Sequence, residues 1–170
     1  VNVILVGPNG VGKSLIAQNL AHQAVIQGHS ALFVNAAQML GDLAAQEGDN
    51  ALRRRFAHYA RPDVLVVDEI GYLAYGTRHA DLLFEIVNRR YERKPTIITT
   101  NRPFAEWSEV FPNAACVVSI VDRLIHHAEI LVIEGESYRM REAKQRAARK
   151  AKTKPGKRRN PLTPDGDNTA

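Results

Sequence analysis

Gly7-Pro8-Asn9-Gly10-Val11-Gly12-Lys13-Ser14 fits the pattern G-x-x-x-x-G-K-[S/T] at every position, and its flanks constrain the fold more than any other stretch. Residues Val1 to Val6 before it are mostly apolar and β-branched, the composition of a strand buried on both faces. After it, Leu15, Ile16, Leu20 and Ala24 recur at helical spacing. Strand, glycine loop and helix in that order form a cradle for phosphate. The glycines let successive backbone N–H groups curl around an anion, and the helix N-terminus adds partial positive charge. Gly7 through Leu15 therefore read as a nucleoside triphosphate site. Lys13 is placed to reach the β- and γ-phosphates, and the Ser14 hydroxyl to ligate Mg²⁺. The alternative, a plain glycine turn, leaves the Lys-Ser pair to chance.

Further along, the pattern alternates between strands and helices. Ala31 to Asn35, Val64 to Asp68, Thr96 to Thr100 and Ile130 to Ile133 read as four more strands. Helices are predicted from Ala36 to about Glu47, from Ala51 to Ala60 with Asn50 as N-cap, and from about Arg78 to Glu92. Two more are predicted, a short one from Phe104 to Val110 around Trp107 and one from about Ser119 to His127. Such alternation predicts an α/β fold, a parallel five-stranded sheet with helices on both faces. Residues 1–138 read as that domain. Residues 139–170 read as a basic helix to about Lys152 followed by a tail.

Three later segments complete a nucleotide site. Val66-Val67-Asp68-Glu69 runs an apolar strand into two acids at its carboxyl end, where parallel sheets bind ligands. Asp68 can hold Mg²⁺ beside Ser14, and Glu69 can polarise an attacking water as general base. Asn101, just past the fourth strand, is placed to hydrogen-bond both a γ-phosphate and that water; otherwise it is a turn or capping residue before Pro103. Phosphoryl transfer also needs a cation, and Arg123 is the candidate. It is far from the loop in sequence, which suits a neighbouring subunit's site; otherwise it is a surface residue paired with Asp122 or Glu129. His126-His127 does not read as a metal site, since adjacent helical positions point apart and no cysteine or acidic set completes one.

Composition narrows the class. No apolar run approaches the roughly 20 residues that span a bilayer. Cys116 stands alone, so no internal disulfide forms, which fits a cytoplasmic protein. The opening residue is Val and the first strand begins at once, so a fragment without its N-terminal region is expected. The net charge of +5 hides an asymmetry. Arg139 to Arg159 holds eleven Lys/Arg against Glu142, a local +10, so the remainder carries −5.

Asp68-Glu69-Ile70-Gly71-Tyr72, Thr99-Thr100-Asn101-Arg102-Pro103, Val121-Asp122-Arg123-Leu124 and Gly135-Glu136-Ser137-Tyr138-Arg139 occur in order, and together with the loop they resemble the IstB-like AAA+ ATPases. These are insertion-sequence transposition helpers related to the DnaC helicase loaders, and the resemblance covers residues 1 to about 145. It implies a P-loop NTPase three-layer sandwich with strand order 5-1-4-3-2 and no separate lid domain. It also implies ATP rather than GTP, Asp68 and Glu69 as the Walker B acids, Asn101 as first sensor, and Arg123 as an arginine finger acting in trans within a homo-oligomer. Arg139 matches a family block that either contacts nucleotide or anchors the last strand. The implied function is ATP-driven assembly on DNA with recruitment or regulation of a transposase; the alternative is loading of a replicative helicase. A nucleotide-binding relic without turnover is the non-enzymatic reading.

The resemblance extends to the clade of initiator and loader ATPases, in which an added helix between the second and third strands faces the central pore. Arg53, Arg54 and Arg55 with His58 could there track a DNA backbone without reading bases. Equally, they form a solvated face paired with Glu47 or Asp49. Lys150 to Arg159 would bind any polyanion, or serve only solubility.

Overall fold

Successive residues of a strand face opposite sides of a sheet, and three strands here are apolar on both. Ile4, Leu65, Val67 and Ile98 point to one face, and Leu5, Val66 and Ile97 to the other. A sheet of this kind is stable only when covered twice. The computed structural model describes residues 1–72 and 74–152, with side chains to residue 148, and has that form. Its elements are β1 (Asn2–Val6), α1 (Lys13–Ile26), β2 (Ala31–Asn35), α2 (Ala36–Ala44), α3 (Asp49–Ala60) and β3 (Val64–Ile70). There follow α4 (Thr77–Arg90), β4 (Thr96–Thr100), a 3-10 turn at Phe104–Glu106, α5 (Trp107–Val110), α6 (Ala114–Ile125), β5 (Ala128–Val132) and α7 (Tyr138–Lys152). All pairings are parallel in the order β2-β3-β4-β1-β5, the expected order read from the other edge. Among the described residues, no helix is long and apolar enough to cross a membrane.

The thicker core lies under α2, α3, α4 and α6, with Met39, Leu43, Phe56, Leu83, Ile86, Trp107 and Ile120 on one sheet face. The other face is covered by α1 through Ala17 and Ala21. This corrects the expected apolar side of α1. Leu15, Ile16 and Leu20 are exposed by 70%, 40% and 37%, so they are not its inward face. The loop sets the rotation: Lys13 must turn inward, and the i, i+4 row below it is Ala17 and Ala21.

Other boundaries shift for local reasons. α3 starts at Asp49 with Gly48 as N-cap at φ 85°, not at Ala51 behind Asn50. α6 starts five residues early because the Asn113 side chain accepts from the Cys116 N–H at 3.1 Å. α2 ends at Ala44 rather than near Glu47, and β3 runs on to Ile70.

Arg90 ties the strand entrances together. Only 2% exposed, it uses all five N–H groups: to Thr96 Oγ1 (3.0 Å) and to the carbonyls of Ala60 (2.9 Å), Pro62 (2.8 Å), Asp63 (3.2 Å) and Pro95 (2.5 Å). Burial pulls its guanidinium down to about 10, which leaves it charged at neutral pH.

A second tie is exposed. The Ser30 N–H and hydroxyl donate to Asp63 Oδ2 at 2.9 and 2.7 Å, joining the starts of β2 and β3. These bonds hold the Asp63 carboxyl down at about 2, below its ordinary 3.8. Ionised Asp63 therefore favours folding above about pH 4, and that contribution is lost as pH falls through about 2. Urea midpoints measured between pH 5 and pH 2 should fall less steeply in Asp63→Asn than in the parent chain. Equal slopes would contradict this.

Candidate functional site

The loop between β1 and α1 has the backbone that its glycines permit. Gly12 caps α1 at φ 96° with no side chain on the first-turn N–H groups, so these stay open to the cleft. Gly10 sits at φ 84°, and a Cβ there would lie 2.2 Å from Ser137 Oγ. The close approach brings in the start of α7, whose Tyr138 N–H donates to the Gly10 carbonyl at 3.0 Å.

Lys13 is buried, and its ammonium donates to the carbonyls of Gly7 (2.7 Å) and Pro8 (2.8 Å). Burial lowers its affinity for a proton; Asp68 and Glu69 oppose that shift, and Arg139 adds to it. The Ser14 hydroxyl donates to Asp68 Oδ1 at 2.9 Å across 54 residues of sequence. On the other side, Thr99 Oγ1 donates to the same oxygen at 2.5 Å and accepts from the Glu69 N–H at 2.8 Å.

Adjacent strand residues should diverge, yet Asp68 and Glu69 serve one cleft. Glu69 adopts φ 62°, uncommon for a residue with a side chain, and β3 slips register against β4 between Val67 and Ile70. Its carboxylate is held by Asn35 Nδ2 at 2.9 Å, while Asn35 Oδ1 accepts from the Ala37 N–H to start α2. Asn101 Oδ1 is buried without a hydrogen-bond partner among the described residues. Beside these groups lies a cleft of about 480 Å³ lined by Asn9 to Leu15, Glu69, Tyr72, Asn101, Tyr138 and Arg139, with Asp68 behind Ser14.

Of the sequence-derived residues, Asn9 to Leu15, Glu69 and Asn101 line the cleft and Asp68 adjoins it through Ser14, whereas Arg123 and the α3 arginines lie elsewhere. Arg123 lies among Asn2, Tyr91, Lys94 and His127 at the amino ends of the strands, about a strand length (~15 Å) from the loop. Its guanidinium sits 4.8 Å from the Phe84 ring centroid and 5.9 Å from that of Tyr91, and among the described residues it forms no ion pair with Asp122 or Glu129.

The three α3 arginines divide. Arg55 pairs with Asp42 at 2.5 Å, and Tyr59 donates to the same carboxylate, so neither Glu47 nor Asp49 is its partner. That pairing holds the Asp42 carboxyl below the ordinary range. Arg53 and Arg54 remain exposed. The basic stretch Lys150 to Arg159 has side chains outside the described residues.

Three participants escaped sequence reasoning. Asn35 and Thr99 are generic polar residues at strand ends, and only the sheet order puts those ends beside Asp68 and Glu69. Tyr138 reaches the cleft because α7 folds back on Gly10. The expectation for His126 and His127 is also corrected. His126 caps α6 and His127 lies beyond it, so the rings are not splayed by helical geometry; their centroids are 4.0 Å apart, with Glu92 alongside.

Residues 1–147 match the family of IstB-like ATP binding proteins. A protein of insertion sequence IS21 from Pseudomonas aeruginosa, named as ATP-binding, is 42% identical over 144 residues, 85% of this chain and 54% of the relative. Its counterpart in IS5376 of Geobacillus stearothermophilus is 35% identical over 141 residues, 83% and 56% of the two chains. The chain spans about half the length of these relatives. Among solved structures, DnaI aligns at TM-score 0.67 and 20% identity, covering 80% of this chain and 71% of DnaI. The DnaC helicase loader aligns at 0.62 and 23%, covering 78% of each. These last two show a shared fold. With the phosphate loop, the paired acids and the strand order in agreement, the chain belongs to the IstB-like ATP-binding protein family.

Proposed function

We propose that this domain binds Mg·ATP in the 480 Å³ cleft, hydrolyses it, and uses the nucleotide to couple its own assembly on DNA to a transposase. The observation that carries this reading is the convergence of Lys13, Ser14, Asp68, Glu69 and Asn101 at one cleft from three separate segments. The donor set fits the ligand. The open N–H groups of the loop and α1 suit phosphate oxygens, and the Lys13 ammonium exchanges backbone carbonyls for charged ones. Ser14 and Asp68 would hold Mg²⁺, which neutralises charge on the β- and γ-phosphates when bound. Glu69 accepts a proton from the water that attacks the γ-phosphorus. Asn101, with its unpartnered oxygen, orients that water, and its amide donates to the γ-phosphate.

Arg123 lies apart from the chain's own cleft, which supports a role in completing a neighbour's site. ATP held between Lys13 of one subunit and Arg123 of the next links nucleotide binding to assembly. Exposed Arg53 and Arg54 offer nonspecific phosphate contacts to DNA. The relatives at 42% and 35% identity are insertion-sequence proteins, which favours a transposase over a helicase as client.

Mixing variants tests the shared site. Lys13→Ala and Arg123→Ala should each lack turnover alone. Mixed in equal amounts, they should recover up to about one quarter of parent phosphate release, the fraction of head-to-tail interfaces that pair intact partners. No recovery on mixing would contradict action in trans.

A further inference from the structure

At the amino ends of the strands, opposite the end that holds the cleft, α4 ends at Arg90 and the chain reverses before β4. Glu92 makes that reversal at φ 57°, the left-handed region that residues with side chains rarely adopt. The reversal brings its carboxylate to the end of α6. Glu92 Oε1 lies 3.7 Å from His126 Nδ1 and 3.9 Å from His127 Nε2. Both distances are too long for hydrogen bonds, so three ligand atoms face one another without bonding among themselves.

That spacing matches a shared ion. Metal–nitrogen and metal–oxygen bonds of about 2.0–2.2 Å in a tetrahedron put ligand atoms about 3.3–3.6 Å apart, so a contraction of under about half an ångström brings both Glu92–histidine distances into range, and all three ligand atoms lie within 4.8 Å of one another. Two imidazoles and one carboxylate suit a borderline divalent metal and not Mg²⁺, which prefers oxygen alone. We propose that Glu92, His126 and His127 bind a divalent transition-metal ion of the Zn²⁺ class, with solvent in the remaining positions.

The three side chains are 54%, 48% and 62% exposed, so an ion has direct access and outer positions stay open to water. The Tyr91 hydroxyl lies 2.7 Å from His126 Nδ1, and the ion takes over that lone pair. Arg123 and Lys94 border the same groove and temper the affinity. The site shares no residue with the nucleotide cleft.

The test is a titration of the full chain with Zn²⁺ by calorimetry, and with Co²⁺ by visible d–d absorption, both without nucleotide. One saturable site is expected, with an intense Co²⁺ spectrum of low coordination number. Glu92→Gln, His126→Asn and His127→Asn should each weaken binding by about tenfold or more, whereas His29→Asn should leave it unchanged. Far-ultraviolet circular dichroism checks that the variants, all at exposed positions, stay folded. No saturable Co²⁺ signal in the parent chain would overturn the site, as would a signal that persists in the folded His126→Asn/His127→Asn double variant.

Discussion

Glu69→Gln should bind Mg·ATP within a few-fold of the parent chain yet turn it over about 10²–10⁴ times more slowly, the usual contribution of a positioned general base. The amide has the carboxylate's shape and can still meet Asn35, 2.9 Å away in the parent. Ser14 still donates to Asp68 and Lys13 keeps its place in the loop, so the phosphate and metal contacts survive. What disappears is proton affinity at one atom. Single-turnover phosphate release alongside calorimetry separates the two effects, and unreduced turnover would take Glu69 out of the base role. The strained φ of 62° at Glu69 fits this assignment. Such a conformation costs about 1–3 kcal/mol and tends to persist where it places a functional group.

Arg90→Leu should lose about 3–5 kcal/mol of folding stability, the scale seen when a buried charged network is broken. Leucine fills part of the volume but offers no donor. The carbonyls of Ala60, Pro62, Asp63 and Pro95 then lie at the junction of α3, β3 and β4 without the guanidinium. Each orphaned group costs about 1–3 kcal/mol unless water enters. Arg90→Lys should recover only part of the loss, because an ammonium has three donors around a point and cannot reach both sides of the fork. Urea unfolding of the three chains measures this. A loss under about 1 kcal/mol for Arg90→Leu would mean that the junction holds by apolar packing alone.

What was readable in the sequence was whatever is local. Gly7 to Ser14 carries its geometry within eight residues, and Asp68-Glu69 follows an apolar run of β3; parallel pairing then puts both at the carboxyl ends of the strands. The inward face of α1 was not local. Hydrophobic spacing pointed to Leu15, Ile16 and Leu20, but the loop's demand on Lys13 fixed the rotation on Ala17 and Ala21. The ion pair of Arg55 is not local either. Its partner Asp42 sits on the preceding helix, 13 residues upstream. His126 and His127 converge because α6 stops at Ile125, and a residue 34 positions upstream supplies the acid. Asn35 and Thr99 acquire meaning only once β2 and β4 flank β3.

Calorimetric titration of the folded chain with ATP, with and without Mg²⁺, bears most directly on the reading of the cleft. Saturable binding that strengthens with Mg²⁺ and weakens about a hundredfold or more in Lys13→Ala is expected, since the variant removes a charge-assisted contact to phosphate. Absence of binding, or binding indifferent to both Mg²⁺ and Lys13, would contradict a triphosphate site at this loop.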